Sequence, residues 1–216
     1  MATGTAGDGP LLSLAEQHIK ALADHGTVKA YPKNAVIVSE GDRSDSLYVI
    51  LTGKVKVYLA DEEGKEMVLN TQGPGEYFGE IILDEGPRSA SVMTLEPTSF
   101  SVVARDPIRE AIRRNPDFAL DMISKIIDRA RLATSSVRDL ALLDVYGRVA
   151  RLLLNMAVEV NGKLEIPDKL TQQEIAERVG ASRDMVSRIF RDLTAGGYIT
   201  VESRHITINK KPPARW

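Results

Sequence analysis

Apolar residues recur along the chain with a period that changes near Pro116, and the change divides the sequence into two textures. From Lys29 to Val103, the short aliphatic runs Val36-Ile37-Val38, Leu47 to Leu51, Val55 to Leu59 and Met67 to Leu69 alternate with the breaks Gly41-Asp42, Thr52-Gly53, Asp61 to Gly64 and Gly73-Pro74-Gly75. β-branched and aliphatic runs between glycine and proline breaks predict strands, and strands spaced this closely predict a roll or barrel. Ahead of them, LLSLAEQHIKALADHG places Leu11, Leu14, Ala15, Ile19 and Leu22 on one helical face and stops at Gly26, which predicts an amphipathic helix closed by a glycine. The first ten residues, MATGTAGDGP, have neither a basic start nor an apolar stretch and read as a disordered tail, not a secretion signal.

Beyond Pro116 a helical period runs to about Leu143. Ile123, Ile127, Ala130, Thr134, Val137 and Ala141 follow at spacings of 4, 3, 4, 3 and 4, with Met122, Ile126, Ala133 and Leu140 as a neighbouring column. A narrow seven-residue stripe beside Arg129, Arg131 and Arg138 predicts a helix that meets a two-fold mate, so a homodimer is expected through Met122, Ile123, Ile126, Ile127, Ala130, Thr134, Val137 and Ala141. Periodicity alone leaves open a helix packed on its own domain.

After a hinge near Asp144, residues 144–158 predict another amphipathic helix, and NGKLEIPDKL a short strand and loop. The stretch TQQEIAERVGASRDMVSRIFRDL has the grammar of a helix-turn-helix. Thr171 and Glu174 form a capping box, Gly180 stands where the turn needs positive φ, and Ser182 caps the second helix. Ile175, Ala176, Val179, Val186 and Ile189 supply the buried faces, which leaves Arg183, Asp184, Ser187 and Arg188 outward. Arginine reads guanine edges and a carboxylate accepts from cytosine, so these four residues, with Thr171, Gln173 and Ser182, are the expected DNA contacts. Gly196-Gly197 then breaks the helix, and YITVESRHITI predicts a hairpin wing with Arg204 and His205 at its tip for phosphates.

Composition narrows the chemistry. The 216 residues suffice for two modest domains; 43% are hydrophobic and 27% charged, and no run of about 18 apolar residues could span a bilayer, so no membrane partner and a cytoplasmic location are expected. Cysteine is absent, which excludes thiol catalysis and cysteine-held zinc or iron–sulfur centres. His18, His25 and His205 have no metal-ligand spacing, so neither a metal nor a prosthetic group is expected. Residues 144–216 carry 12 Lys/Arg against 9 Asp/Glu, a net of +3, and leave 16 against 21 for the rest, so nucleic acid is favoured at the C-terminal end.

EGDRSDSLYVILTGKVKVY, FGEIILDEGPRSASV, LALLDVYGRVARLLLNMA and the helix-turn-helix stretch together resemble the bacterial transcription regulators of the cyclic AMP receptor protein and fumarate–nitrate regulator family, over Leu11 to Ile208. The resemblance implies an α+β chain: a cyclic-nucleotide-binding β-roll over residues 11–115, a dimerisation helix over 116–143 and a winged helix-turn-helix over 144–216. It also implies an effector site. Gly79 and Glu80, with Ile81, would hold a ribose, Arg88 and Ser89 a cyclic phosphate, and Thr134 and Arg129 would contact the ligand from the long helix. Arginine's bidentate fork, a hydroxyl and a ribose-binding carboxylate suit those roles.

Seven residues separate Glu80 from Arg88, a shorter cassette than in well-known cyclic AMP binders, and Ala133 stands where the family has one of two base-contacting hydroxyls. The implied effector is cyclic AMP or cyclic GMP. Cyclic di-GMP, and regulation without a ligand, stay open as alternatives. The implied partners are palindromic double-stranded DNA, a second copy of the chain and RNA polymerase. An enzyme is not expected: GPGEYFGE, taken as the glycine loop of a phosphoryl-transfer enzyme, matches neither the Walker pattern nor GxGxxG, and no Ser/His/Asp set or metal pair accompanies it.

Overall fold

The computed structural model describes residues 14–43, 45–84 and 86–213. The expected tail, Leu11 of the first helical face, Ser44 and Glu85 lie outside the described residues. Helix α1 (Leu14–Ala23) leads into strands β1 (Thr27–Tyr31), β2 (Val36–Val38), β3 (Ser46–Thr52), β4 (Val55–Ala60), β5 (Glu66–Gln72), β6 (Tyr77–Phe78), β7 (Ser91–Thr94) and β8 (Thr98–Ala104), with a single 3-10 turn at Glu80–Leu83 between β6 and β7. Two four-stranded sheets result, ordered β1-β8-β3-β6 and β2-β7-β4-β5. Contacts divide the described chain into two compact units, residues up to Val57 with Thr71–Asp128, and Tyr58–Asn70 with the residues from Arg129 onward.

The first unit buries two apolar clusters on opposite sides of β3. Ile50 joins Val38, Val55, Phe78, Val92 and Phe100 inside the roll, while Leu47 and Val49 join Tyr77, Ile82, Val103 and the helices outside it. Period-2 alternation with both faces buried explains why β3 reads as a nearly continuous apolar run. Helix α1 ends at Ala23, and Gly26, the glycine expected to close it, is not left-handed. It lacks a Cβ because one would collide with Ser101, whose hydroxyl donates to the Ala23 carbonyl at 2.6 Å and so closes the helix from β8.

A helix without a counterpart in the sequence reading, α2 (Arg105–Arg114), buries Ile108 under the roll. Its signal was present: Pro107 in the first turn and Ile108, Ala111 and Ile112 on one face. Helix α3 (Pro116–Leu142) starts with proline and buries Phe118 and Met122 in the outer cluster of the first unit. Asn115 Nδ2 donates to His18 Nε2 at 2.6 Å, and His18 Nδ1 meets Asp121 at 2.7 Å, which ties α1 to the first turns of α3.

In the second unit, helix α4 (Val145–Met156) is capped by Asp144, whose side chain accepts from the Gly147 amide at 2.7 Å. Arg148 donates from Nε to the Val179 carbonyl at 2.8 Å and from Nη1 to the Leu143 carbonyl at 3.1 Å, and Arg151 pairs with Asp139. Strands β9 (Val158–Val160) and β10 (Lys163–Ile166), helices α5 (Gln172–Val179) and α6 (Arg183–Ala195), and strands β11 (Ile199–Glu202) and β12 (His205–Ile208) complete the chain.

These four strands form a sheet ordered β11-β12-β10-β9. The helix expected over residues 144–158 stops at Met156. Asn161 (φ 51°) and Gly162 (φ 77°) make a tight hairpin turn that draws Val158 into β9. The core collects Val149, Leu153, Ile166, Ile175, Val186, Leu193, Ile199 and Ile206.

Candidate functional site

The predicted effector residues of the roll are adjacent in the structure. Gly79 (φ 90°) ends β6 in a left-handed conformation and opens the 3-10 turn, in which Glu80 and Ile81 are half-buried and Ile82 is buried. A Cβ at Gly79 would strike Arg88 Nη1 and stand 2.9 Å from the Ser46 carbonyl, so glycine is needed there for both its φ and its size. Arg88 is only 7% exposed. Its Nη2 donates to the Ser46 carbonyl at 2.7 Å, and its backbone is strapped by Asp42, which accepts from its amide at 2.8 Å, and by Gly41, whose amide donates to its carbonyl at 2.8 Å.

Nη1 of Arg88 is buried and meets no hydrogen-bond acceptor among the described residues. Burial pushes the guanidinium below its ordinary range, while Tyr48, Glu80, Asp45 and Asp42 nearby push it back. A buried cation with one amino group left to a ligand is suited to an oxyanion, and it fits a phosphate-bearing effector. Ser89, the next residue, is exposed.

On α3, Ile123, Ile126, Ile127 and Val137 are 50%, 43%, 44% and 65% exposed, and Ala130, Thr134 and Ala141 are exposed with them. Leu120, 60% exposed, extends this stripe by one position that the sequence reading missed, although it stands three residues before Ile123. Met122 departs from the expected set: it is 3% exposed and packs with Phe118 and Ile82, because the first turns of α3 lie on the roll. Arg129 is half-buried, and the Thr134 hydroxyl donates to the Ala130 carbonyl at 2.9 Å.

The helix-turn-helix is assembled by near neighbours. Thr171 Oγ1 accepts from the Glu174 amide at 3.2 Å while the Glu174 carboxylate accepts from the Thr171 amide at 2.6 Å, the reciprocal bonds of a capping box. Gly180 turns the chain at φ 64°, and Ser182 accepts from the Met185 amide at 3.3 Å to cap α6. Arg183, Asp184 and Arg188 are exposed and Ser187 is half-buried, on the side opposite Val186 and Ile189, while Gln173 is exposed on α5. Ser203 (φ 50°) and Arg204 (φ 69°) form the hairpin turn, so Arg204 is at the tip and His205 begins β12.

Sequence reasoning missed Ser46, Asp42 and Tyr48 as partners of Arg88. Ser46 contributes a backbone carbonyl, which no residue type announces. Tyr48 was detectable as the one aromatic residue facing into the roll from β3. Among the described residues, no cluster of three or more His, Cys, Asp or Glu could hold a metal, and no helix is long and apolar enough to cross a membrane.

Residues 28–115 match the cyclic nucleotide-binding domain model and residues 147–212 the Crp-like helix-turn-helix domain model. The chain is 34% identical over 184 residues to the CRP-like cAMP-activated global transcriptional regulator of Mycobacterium tuberculosis, covering 83% of this chain and 82% of the relative. It is also 34% identical over 190 residues to the cAMP-activated global transcriptional regulator CRP of Salmonella typhimurium, covering 85% and 90%. The structure of the c-di-GMP-responsive global regulator CLP of Xanthomonas campestris shares the fold, with a TM-score of 0.78 at 22% identity over 90% of this chain and 99% of that one.

Proposed function

The chain belongs to the family of cyclic nucleotide-binding transcription regulators typified by the cyclic AMP receptor protein, and from that premise we propose that it is a cytoplasmic homodimer that binds palindromic operator DNA under control of a cyclic nucleotide held in the roll. The observation that carries the effector part is Arg88, buried, with Nη2 fixed on Ser46 and Nη1 left for a phosphate oxygen. Glu80 accepts from a ribose hydroxyl, Ser89 and the neighbouring amides complete the phosphate cradle, and Ile81 borders the sugar. Arg129 and Thr134 are the α3 residues proposed to respond to the ligand. The relatives named above are cAMP-activated, which makes cyclic AMP the first candidate, followed by cyclic GMP; cyclic di-GMP is the effector to test against them.

The signal has a physical route within the first unit. Glu80 begins the 3-10 turn, and Ile82 of the same turn is fully buried against Phe118 and Met122 of α3. Pulling the turn toward a phosphate therefore moves side chains on which the first turns of α3 rest. Burying an isoleucine stabilises by roughly 2 kcal/mol, and the share of it that changes as the turn moves is what biases the helix. Helix α3 continues to Leu142, where the hinge and α4 begin, and two copies paired through the Ile123–Ala141 stripe would set the recognition helices roughly 34 Å apart. Arg183, Asp184, Ser187 and Arg188 then read base edges, and Thr171, Gln173, Ser182 and Arg204 hold phosphates. RNA polymerase is the proposed partner at the promoter, and no catalysis is assigned.

Calorimetric titration with cyclic AMP, cyclic GMP and cyclic di-GMP tests this reading, with operator selection from random DNA in the presence and absence of each. We expect one nucleotide to bind and to raise affinity for a two-fold symmetric site. Binding by none of the three, with operator affinity unchanged, overturns the effector part. Sedimentation of Ile127→Glu tests the dimer, and an unchanged dimer overturns the seam.

A further inference from the structure

Four aromatic rings meet inside the roll beside Arg88. Tyr48 stacks on Phe78 with centroids 4.9 Å apart and planes 4° from parallel, and Phe100 meets both edge-on, at 5.9 Å and 86° from Tyr48 and 5.6 Å and 89° from Phe78. Tyr31 leans on Phe100 at 5.7 Å. A ring clamped by a stack on its face and an edge contact at its side has one orientation. The Arg88 guanidinium carbon stands 5.8 Å from the centroid of that fixed ring.

A buried guanidinium has lost its water and needs something to replace it. The Ser46 carbonyl takes one N–H, and an aromatic face attracts the delocalised cation at this range. Burial pushes the Tyr48 hydroxyl above its ordinary value, so the ring stays a neutral phenol and the attraction is to its face, not to a phenolate. Gly79 closes the remaining side, since any side chain there would displace Nη1. We propose that Tyr48 is the positioning residue of the phosphate site: its clamped ring and the Ser46 carbonyl together hold Arg88 so that Nη1 faces the ligand. This rests on the effector reading above for its purpose, but not for its geometry.

The test uses the full-length chain with Tyr48→Phe, Tyr48→Leu and Tyr48→Met, each checked by thermal melting, so that one unfolded variant leaves another to measure. Without ligand, the side-chain Nε–H resonance of Arg88 is followed in nitrogen-15-labelled protein, identified by its loss in Arg88→Lys. It is expected to be dispersed and slow to exchange in the wild type and in Tyr48→Phe, and to collapse onto the exposed arginines in Tyr48→Leu and Tyr48→Met.

With ligand, cyclic AMP, cyclic GMP and cyclic di-GMP are each titrated. Whichever binds the wild type should bind Tyr48→Phe within about threefold and the Leu and Met variants roughly three- to thirtyfold more weakly. In an Arg88→Lys background Tyr48→Leu should weaken binding no further. An Arg88 resonance unchanged in both aliphatic variants overturns the proposal, as do losses that multiply in the double variant. If no nucleotide binds while the resonance behaves as expected, the effector reading falls and the hold of Tyr48 on Arg88 is upheld.

Discussion

Gly79 and Gly180 stand at corresponding places in the two working ends of the chain, one opening the turn that carries Glu80, the other joining the helices of the DNA reader, and both are left-handed, at φ 90° and 64°. They differ in what surrounds them. A Cβ on Gly180 would rest 3.5 Å from Leu140 Cδ2, an ordinary contact, whereas on Gly79 it would collide with Arg88. The helix-turn-helix asks only for a backbone conformation, and the Glu80–Arg88 cassette asks for that and for empty space beside the buried Arg88.

The same contrast runs through their bonds. Thr171 with Glu174 and Ser182 with Met185 close over three residues, while Arg88 is held by Ser46, 42 positions away. The turn and caps of the helix-turn-helix are settled locally, and the surroundings of Arg88 are knit from distant strands.

Substitutions can break this comparison, and the largest effect is expected at Gly79. Gly79→Val should displace Arg88 and weaken nucleotide binding by at least about thirtyfold, the equivalent of roughly 2 kcal/mol, as read by calorimetry. Binding within threefold of wild type would remove Arg88 from the phosphate site. Next, Arg183→Ala should cost the operator complex about 1–3 kcal/mol and relax preference at one base pair in a gel-shift competition, with nucleotide binding untouched.

Gly180→Ala should cost about 1–2 kcal/mol of left-handed strain in thermal melts and leave nucleotide affinity alone, and Gly180→Asn should recover most of it. A Gly180 change that weakened nucleotide binding would show that the two ends are not separable. The smallest effect is expected from pH. Burial raises the pKa of Tyr48 and Tyr146 above the ordinary 10.0, so each favours the folded state fully below pH 10.0, and that contribution is lost as pH climbs toward the raised folded value. Tyr48→Phe and Tyr146→Phe should each flatten the fall in melting temperature above about pH 10.

How much of this was legible follows from the same difference. Caps, the Gly180 turn and the two faces of α6 could be read from the sequence, because the residues that make them lie within a turn of one another. The strands of the roll were legible as texture, but the partners of Arg88 were not, since Ser46 acts through its carbonyl and Tyr48 through a ring orientation fixed by Phe78 and Phe100. Met122 shares a column with the exposed Ile126 yet is buried, because a heptad column cannot say where the helix stops resting on its own domain. The β9–β10 hairpin is not legible from the apolar period, which runs helically on through Ala157 and Val158, whereas the turn at Asn161-Gly162 decides the structure.

Arg148 gives two of its N–H donors to the carbonyls of Leu143 and Val179, one directly after α3 and one at the last residue of α5. Every residue type offers the same carbonyl, so neither position needs a particular side chain to keep this brace. Drift at residues 143 and 179 would be silent with respect to it, and a lineage altering the geometry of the hinge through this brace would have to do so by changing the arginine itself.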